Sequence, residues 1–393
     1  MHIVHIEDFF HPDAGYQVNI LAKYLVKFGH QVTVITAEMD QIPEYLTSFF
    51  GRDHIEERDR AYEEAYGVKI IRLPVWKYIS GRVIFAEGLL DTIHNCNPDI
   101  LYVHGNDTFT GMWATWNRKK LGCPLILDSH MLEMASENHF RKLFRLFYRV
   151  CVTPIIKREH LTVIRTQDDP YVEKCLGIPL AQAPWISYGS DTLLFHPDAD
   201  VRKQFRRTHG IPEDAFVVVY AGKLDEAKGG KLLADGILKP IENAVFVIVG
   251  NTSGDYGKQV ESTFSESKNR ILRFPTQKYR DLAPFFQAAD LAVFPRQCSM
   301  SFYDVQACGL PVLFEDNNIN KERCSHQNGW TFHEGDTEDF REKLRQIIAM
   351  DSAAYQAAAA HALSFIKENY DYEKKAREYE AVLQSAVNAF QNN

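Results

Sequence analysis

Short apolar runs alternate along this chain with longer stretches in which apolar residues return every three or four positions. In the first half, "HIVHI" and "QVTVIT" flank "GYQVNILAKYLVKFGH", whose spacing is helical. "VKIIRL", "DILYVH", "PLILDS" and "LTVIRT" follow, with helix-length segments between them. Runs of this kind, rich in β-branched residues and without polar alternation, belong to strands buried on both faces. Their alternation with helices predicts a parallel sheet covered on each side. The second half repeats the style in "AFVVVYAG", "AVFVIVG", "RILRFP", "DLAVFP" and "PVLFED". The change falls at "APWISYGSDTLLFHPDADVRKQF", residues 183–205, a polar stretch that carries prolines. The expectation is an α/β chain of two doubly wound, parallel-sheet, Rossmann-like domains facing across a cleft, with ligands at the carboxyl ends of the strands. The domains are placed at 1–186 and 187–370. A last helical piece covers 371–393, after a bend at Tyr370-Asp371-Tyr372.

Composition removes several classes of function. A length of 393 residues exceeds one ordinary core and suits two domains. The net charge of −8 argues against nucleic acid as the partner. Seven cysteines, odd in number and without a CxxC pair, fit a reducing compartment better than a disulfide framework or a zinc site. The N-terminus lacks the pattern of a signal peptide, and no apolar run approaches the roughly 18 residues of a membrane span. The expected location is the cytoplasm, with peripheral attachment to the inner face of the membrane as its variant.

Two strand ends carry candidate chemistry. "VVVYAGKLDEAKGGKLL" puts Gly222, Lys223 and Lys228 after a strand and before a helix, so that two cations can close on one diphosphate. The loop is no Walker motif, and solvated surface lysines are the plainer reading. "FPRQCSMSFYDVQACGLPV" ends a strand in Ser299, Met300 and Ser301, opens a helix there, and holds Asp304 about one turn in. Backbone amides at a helix start attract an anion, and a carboxylate one turn on can accept from ribose hydroxyls. A plain N-cap by Ser299 or Ser301 accounts for the same residues, and both readings can hold together. A third segment, "HFRKLFRLFYRVCVTPIIKREH" at 139–160, has six basic residues and one acid. A basic amphipathic helix is the pattern of binding to an anionic membrane. Packing of the Phe side on the sheet with the arginines in water is the slightly favoured alternative.

"SYGSDTLLFHPD", "YAGKLDEAKGG", "DLAVFP" and "DVQACGLPV" stand in the order seen in retaining glycosyltransferases of the GT-B fold, family four, which the chain resembles. "HPDAGYQVNILAKYLVKFGHQVTVIT" and "DILYVHGND" are similar to that family's N-terminal domain, so the resemblance covers nearly the whole chain. It implies an acceptor-side N-terminal domain, a C-terminal domain for the nucleotide sugar, and a final helix crossing back to the first domain. The phosphate-binding cations of the family fall on Lys223 and Lys228, and the glycine of the N-terminal loop on Gly15. The histidine beside the reacting sugar falls on His130, and the ribose-binding acid on Asp304. Gly222, Gln297, Ser299, Met300 and Ser301 complete the expected donor site, and His104 and Glu133 are candidates for the acceptor cleft. The usual first glutamate of the family's motif is missing: Arg296 stands eight positions before Asp304, with Gln297 the nearest replacement.

The implied reaction moves a sugar, with retention, from a UDP- or GDP-sugar to a glycan or lipid-linked acceptor. It needs no bound cofactor and no metal, and Asp168-Asp169 reads as a loop feature. Bacterial-type polysaccharide, lipopolysaccharide or glycolipid assembly is the expected setting. A sugar-nucleotide epimerase and a non-catalytic sugar-nucleotide binder remain as rivals. An NAD-dependent oxidoreductase is disfavoured by the lack of a G-x-G-x-x-G after the first strand.

Overall fold

The computed structural model describes residues 1–43, 50–133, 140–296 and 300–392. The chain divides into two compact units, 1–188 together with 372–393, and 189–371. In the first unit the strands are β1 (His2–Glu7), β2 (Gln31–Ala37), β3 (Val68–Leu73), β4 (Val75–Ile79), β5 (Arg82–Phe85), β6 (Ile100–Val103), β7 (Leu125–Ser129) and β8 (Thr162–Arg165). Six of them form a parallel sheet in the order β3-β2-β1-β6-β7-β8, and β4 and β5 make a separate antiparallel hairpin. The second unit holds β9 (Phe216–Ala221), β10 (Ala244–Val249), β11 (Arg270–Phe274), β12 (Leu291–Phe294), β13 (Val312–Glu315) and β14 (Gly329–Phe332). These run parallel in the order β11-β10-β9-β12-β13-β14. Both units are thus α/β, doubly wound and Rossmann-like.

The burial explains why these runs became central strands. Val4 and Ile6 of β1, Leu101 and Val103 of β6, and Leu127 of β7 are fully buried, as are Val218, Phe246, Ile248 and Leu313 in the second unit. Each such side chain contributes about 1.5–3 kcal/mol of apolar transfer. The helix Gln17–Lys27 buries Val18, Leu21, Ala22 and Leu25, and stops at Phe28-Gly29, where Gly29 takes φ +90° and donates to the carbonyl of Val26. A left-handed residue there ends a helix at no steric cost only when it is glycine.

The C-terminal helical stretch is interrupted at Tyr370-Asp371. The helix Ser352–Asn369 belongs to the second unit, and the helix Tyr372–Gln391 to the first. Tyr372, Ala376, Tyr379, Leu383 and Val387 are its buried residues. Tyr372 donates to the carbonyl of Gln17 (3.2 Å) and Tyr379 to that of Ile186 (2.8 Å), while Lys27 pairs with Glu373 (2.7 Å).

Two features were not legible in the sequence pattern. The β4–β5 hairpin is short and antiparallel, with Val83 buried and Trp76, Lys77 and Ile79 exposed, and β14, "GWTF", is a short edge strand paired with β13. One expectation is corrected. The helix Arg141–Cys151 does not turn its apolar side onto the sheet: Tyr148 is buried and Phe144 half-buried, but Leu143, Leu146, Phe147 and Val150 are exposed. The inward face carries only those two aromatics, so the larger apolar stripe is left in water.

Candidate functional site

In each sheet the strand order reverses once, between β1 and β6 and between β9 and β12. Loops leave the two central strands in opposite directions there, and the crevice they open at the carboxyl ends is where ligands bind in such sheets.

In the second unit both candidate loops meet at this point. Gly222 follows β9, and its N–H donates to the carbonyl of Val249 (3.0 Å). The turn behind it is tied by Asp225, which accepts from the N–H of Lys228 through its side chain (2.9 Å) and from that of Gly230 through its carbonyl (3.1 Å). Gly229 has φ +75°, and a Cβ on it would lie 3.0 Å from Arg296 Cγ and 3.1 Å from Pro295 Cβ. The lysine loop therefore lies directly against the segment leaving β12. Arg296 also reaches the carbonyl of Glu226 (3.1 Å), so the residue standing where the family has an acid clamps the two loops together. Lys223 is exposed and Lys228 half-buried. Met300 and Ser301 are half-buried at the start of the helix Ser301–Ala307, whereas Gln297 and Ser299 lie outside the described residues.

Beside Gly222 the packing leaves no room for a side chain. Gly250, at the end of β10, has φ +142°, and a Cβ there would sit 1.9 Å from the carbonyl oxygen of Gly222. Gly250→Ala is expected to cost at least about 2 kcal/mol, through strain and displacement of the loop. Urea unfolding of the variant measures it; an unchanged midpoint would mean that the loop yields freely. A cavity of about 450 Å³ opens next to this glycine, lined by Asn251, Thr252, Glu261, Arg273 and Pro275.

Asp304 is buried on the helix Ser301–Ala307, and its Oδ1 accepts from Ser190 Oγ (2.7 Å) and Tyr279 OH (3.2 Å). Burial pushes its pKa up to about 7, against the pull of those two donors and with the neighbouring Asp191 adding to the rise. A carboxyl raised in the folded state binds more protons than in the unfolded chain, so stability falls as pH climbs from about 4 to about 7 and is level above. Asp304→Asn should flatten that fall in thermal unfolding scans between pH 5 and 8. An unaltered slope would show that Asp304 is ionised throughout.

In the first unit the corresponding strand ends carry a chain of histidines around one carboxylate. Asp128, fully buried in β7, accepts from His130 Nε2 through Oδ1 (2.8 Å) and from His104 Nδ1 through Oδ2 (2.8 Å). The N–H of Gly105 also donates to its Oδ1 (2.7 Å). His104 Nε2 lies 3.0 Å from Nδ1 of buried His5. His130 contacts Tyr188 OH through Nδ1 and keeps one edge in solvent. Burial opposes ionisation of Asp128, but the two histidines outweigh it and hold the carboxyl well below the usual range. Burial likewise opposes the charge on His130, and Asp128 overrides it, holding the imidazole well above its ordinary value. Ligand atoms of His104, Asp128 and His130 lie within 4.8 Å of one another, but mutual hydrogen bonds already occupy the donor atoms a cation would need.

A cavity of about 210 Å³ opens over this cluster, lined among others by Glu7, Asp8, Arg82, His104, Asp107 and His130. Burial, reinforced by the adjacent Glu7, pushes Asp8 up to about 7, although Thr110 and the N–H of Val83 donate to it. Glu133 lies on the loop after β7, its N–H bonded to Asp169 and its carboxylate 3.7 Å from Lys174. Gly15 is half-buried, two residues before the helix Gln17–Lys27. Asp128, Glu7 and Asp8 were not singled out from the sequence. Asp128 had a signal, since it is an acid at the end of an apolar strand, two positions before His130.

With this geometry described, the comparisons with known proteins give a family. The model for group 1 glycosyl transferases matches residues 201–364, and that for a glycosyl transferase 4-like domain matches residues 14–158. The chain belongs to the group 1 glycosyl transferases, of GT-B type. Among curated relatives, a D-inositol 3-phosphate glycosyltransferase of Xylanimonas cellulosilytica is 28% identical over 148 residues, 35% of this chain and 36% of that one. That of Corynebacterium aurimucosum is 23% identical over 306 residues, 72% of each chain. The match to the first of these thus spans about a third of the relative's length. Anabaena HepE, crystallised with UDP, has the same fold, with a TM-score of 0.74 at 16% identity over 98% of this chain and all of that one.

Proposed function

We propose that the protein is a retaining glycosyltransferase that moves a sugar from a nucleotide diphosphate to an acceptor hydroxyl without a divalent metal. The observation that carries the reading is the contact of the lysine loop with the segment after β12, at the switch point of the second sheet. As the glycosidic bond breaks, negative charge builds on the departing diphosphate. Lys223, Lys228 and the amides at the start of the helix Ser301–Ala307 stabilise that charge, which is electrostatic catalysis. Asp304 takes the ribose, and the cavity beside Gly250 offers room for the base. Uracil is the favoured base and guanine the alternative; HepE was crystallised with UDP and with UDP-glucose.

In the first unit, Gly15 and His130 are the residues that the family resemblance assigns to the donor phosphate and the reacting sugar. Both ring nitrogens of His130 are engaged by the protein, so its contribution is charge and shape more than a free hydrogen bond. The cavity over His104 takes the acceptor, and Glu133, on the loop after β7, is a further acceptor-side residue. The setting is cytoplasmic assembly of a polysaccharide, lipopolysaccharide or glycolipid.

Calorimetric titration with UDP, GDP and ADP and their sugar conjugates, in the presence of a chelator, tests the donor site. Binding of one nucleotide is expected, followed by transfer when acceptors are supplied. No binding of any of them would remove the reading. The Arg296 clamp favours one second reading, a non-catalytic sugar-nucleotide binder, which predicts binding with neither transfer nor slow donor hydrolysis.

A further inference from the structure

The helix Arg141–Cys151 carries a surface that its own unit does not cover. Leu143, Leu146, Phe147 and Val150 stand at i, i+3, i+4 and i+7, so they form one stripe, and Leu143 and Val150 are 65% and 64% exposed. Phe140, just before the helix, is 72% exposed. Trp116, on the helix Phe109–Leu121, extends the stripe: its ring meets that of Phe147 edge-on at 6.1 Å and is itself exposed. Apolar exposure gathered on one face marks an interaction surface.

Charge decides what covers it. Residues 140–160 hold six cations and one acid in a chain whose net charge is −8. Arg141 and Lys142 are exposed on the helix itself, Lys157 and Arg158 follow it, and Lys119 and Lys120 are exposed at the end of the helix that bears Trp116. A two-fold contact of this face with a second copy would set those cations against their own images. An anionic bilayer instead takes the stripe into the acyl boundary and the cations against headgroup phosphates.

We propose that this face docks the protein on an anionic lipid bilayer, with the helix lying in the interface. Among the described residues no helix is long and apolar enough to cross a membrane, so the contact is peripheral. The docking stands independently of sugar transfer. Joined to it, it would bring the enzyme to acceptors anchored in lipid.

The test is co-sedimentation of the full chain with vesicles of phosphatidylcholine alone or mixed with phosphatidylglycerol. Binding is expected to be at least about tenfold tighter to the anionic vesicles and to weaken as salt is raised. Leu146→Glu/Val150→Glu and, separately, Arg141→Glu/Lys142→Glu should each weaken it about tenfold without lowering the unfolding temperature. Tryptophan emission should shift to the blue on binding, by less in Trp116→Phe. Absence of binding to anionic vesicles overturns the proposal, as does binding that neither variant alters. A dimer in sedimentation velocity that Leu146→Glu/Val150→Glu makes monomeric, without vesicle binding, would assign the face to a second copy. Nucleotide titration of the same samples without vesicles reports on the transferase reading separately.

Discussion

Replacing both Lys223 and Lys228 by alanine is expected to abolish measurable donor binding and to slow transfer by on the order of 10³-fold, with the unfolding temperature unchanged. Removing one preorganised donor from a developing oxyanion costs roughly 10²–10³ in rate, and two cations on one diphosphate act on the same charge. The two losses are therefore not additive, and the double variant should resemble the worse single one more than their product. Stability should largely hold because both substitutions keep the backbone ties of the loop: Asp225 takes the N–H groups of Lys228 and Gly230. Lys223→Arg is a useful partner experiment, since guanidinium restores the charge and adds a planar fork suited to phosphate. Calorimetry with the preferred nucleotide and a steady-state rate assay read both expectations. Full activity in the double variant would move the diphosphate away from this loop altogether.

Asp128→Asn is expected to destabilise the first unit by about 3 kcal/mol at neutral pH and to return His130 to an ordinary titration. Breaking a buried ion pair by removing one partner costs roughly 3–5 kcal/mol, and the solvent-exposed edge of His130 places the loss at the low end. The signs follow from the two shifts. Asp128 is held low in the folded state, so its contribution is present above the unfolded carboxylate pKa and is lost as pH falls through the folded one. His130 is held high, so its contribution is full below the unfolded imidazole pKa and is lost as pH rises through the folded one. The penalty of Asp128→Asn should therefore shrink toward strong acid and toward alkaline pH. Glu7, His104 and Tyr188 also act on His130, so the comparison is made against His104→Ala as well. Nitrogen NMR of the imidazoles across pH 5–9 reads the change directly. An ordinary titration of His130 in the unmodified protein would sink the argument.

Much of this molecule was written along the chain. Buried runs such as "DILYVH" and "PVLFED" became strands because apolar residues without polar alternation can only be covered on both faces. Lys223, Lys228 and Asp304 were found from their distance to a strand end, which fixes where a loop begins. What the pattern left out was cheap locally and decided elsewhere. The hairpin β4–β5 buries Val83 against Ala37 and Ile42, residues about forty positions away, and β14 is a strand only because β13 offers it an edge.

The site divides in the same way. His130 came from the family resemblance, and the grip on it was not legible: His5 of β1, His104 just after β6 and Asp128 of β7 are set in a row only by the parallel register. Arg296 could be seen to replace an acid, whereas its hold on the carbonyl of Glu226 depends on how two loops meet. The amphipathic helix gives the sharpest contrast. Its sequence determined that one side would be apolar and another basic, since that is periodicity alone. Which side meets the core was a matter of packing, and the sheet accepted Tyr148 and Phe144, leaving the larger apolar stripe in water. Sequence thus determined the elements, the switch points and the charged groups carried there. Tertiary structure decided which of those groups are buried together and which face outward, because burial, register and loop contact are properties of neighbours distant in the chain.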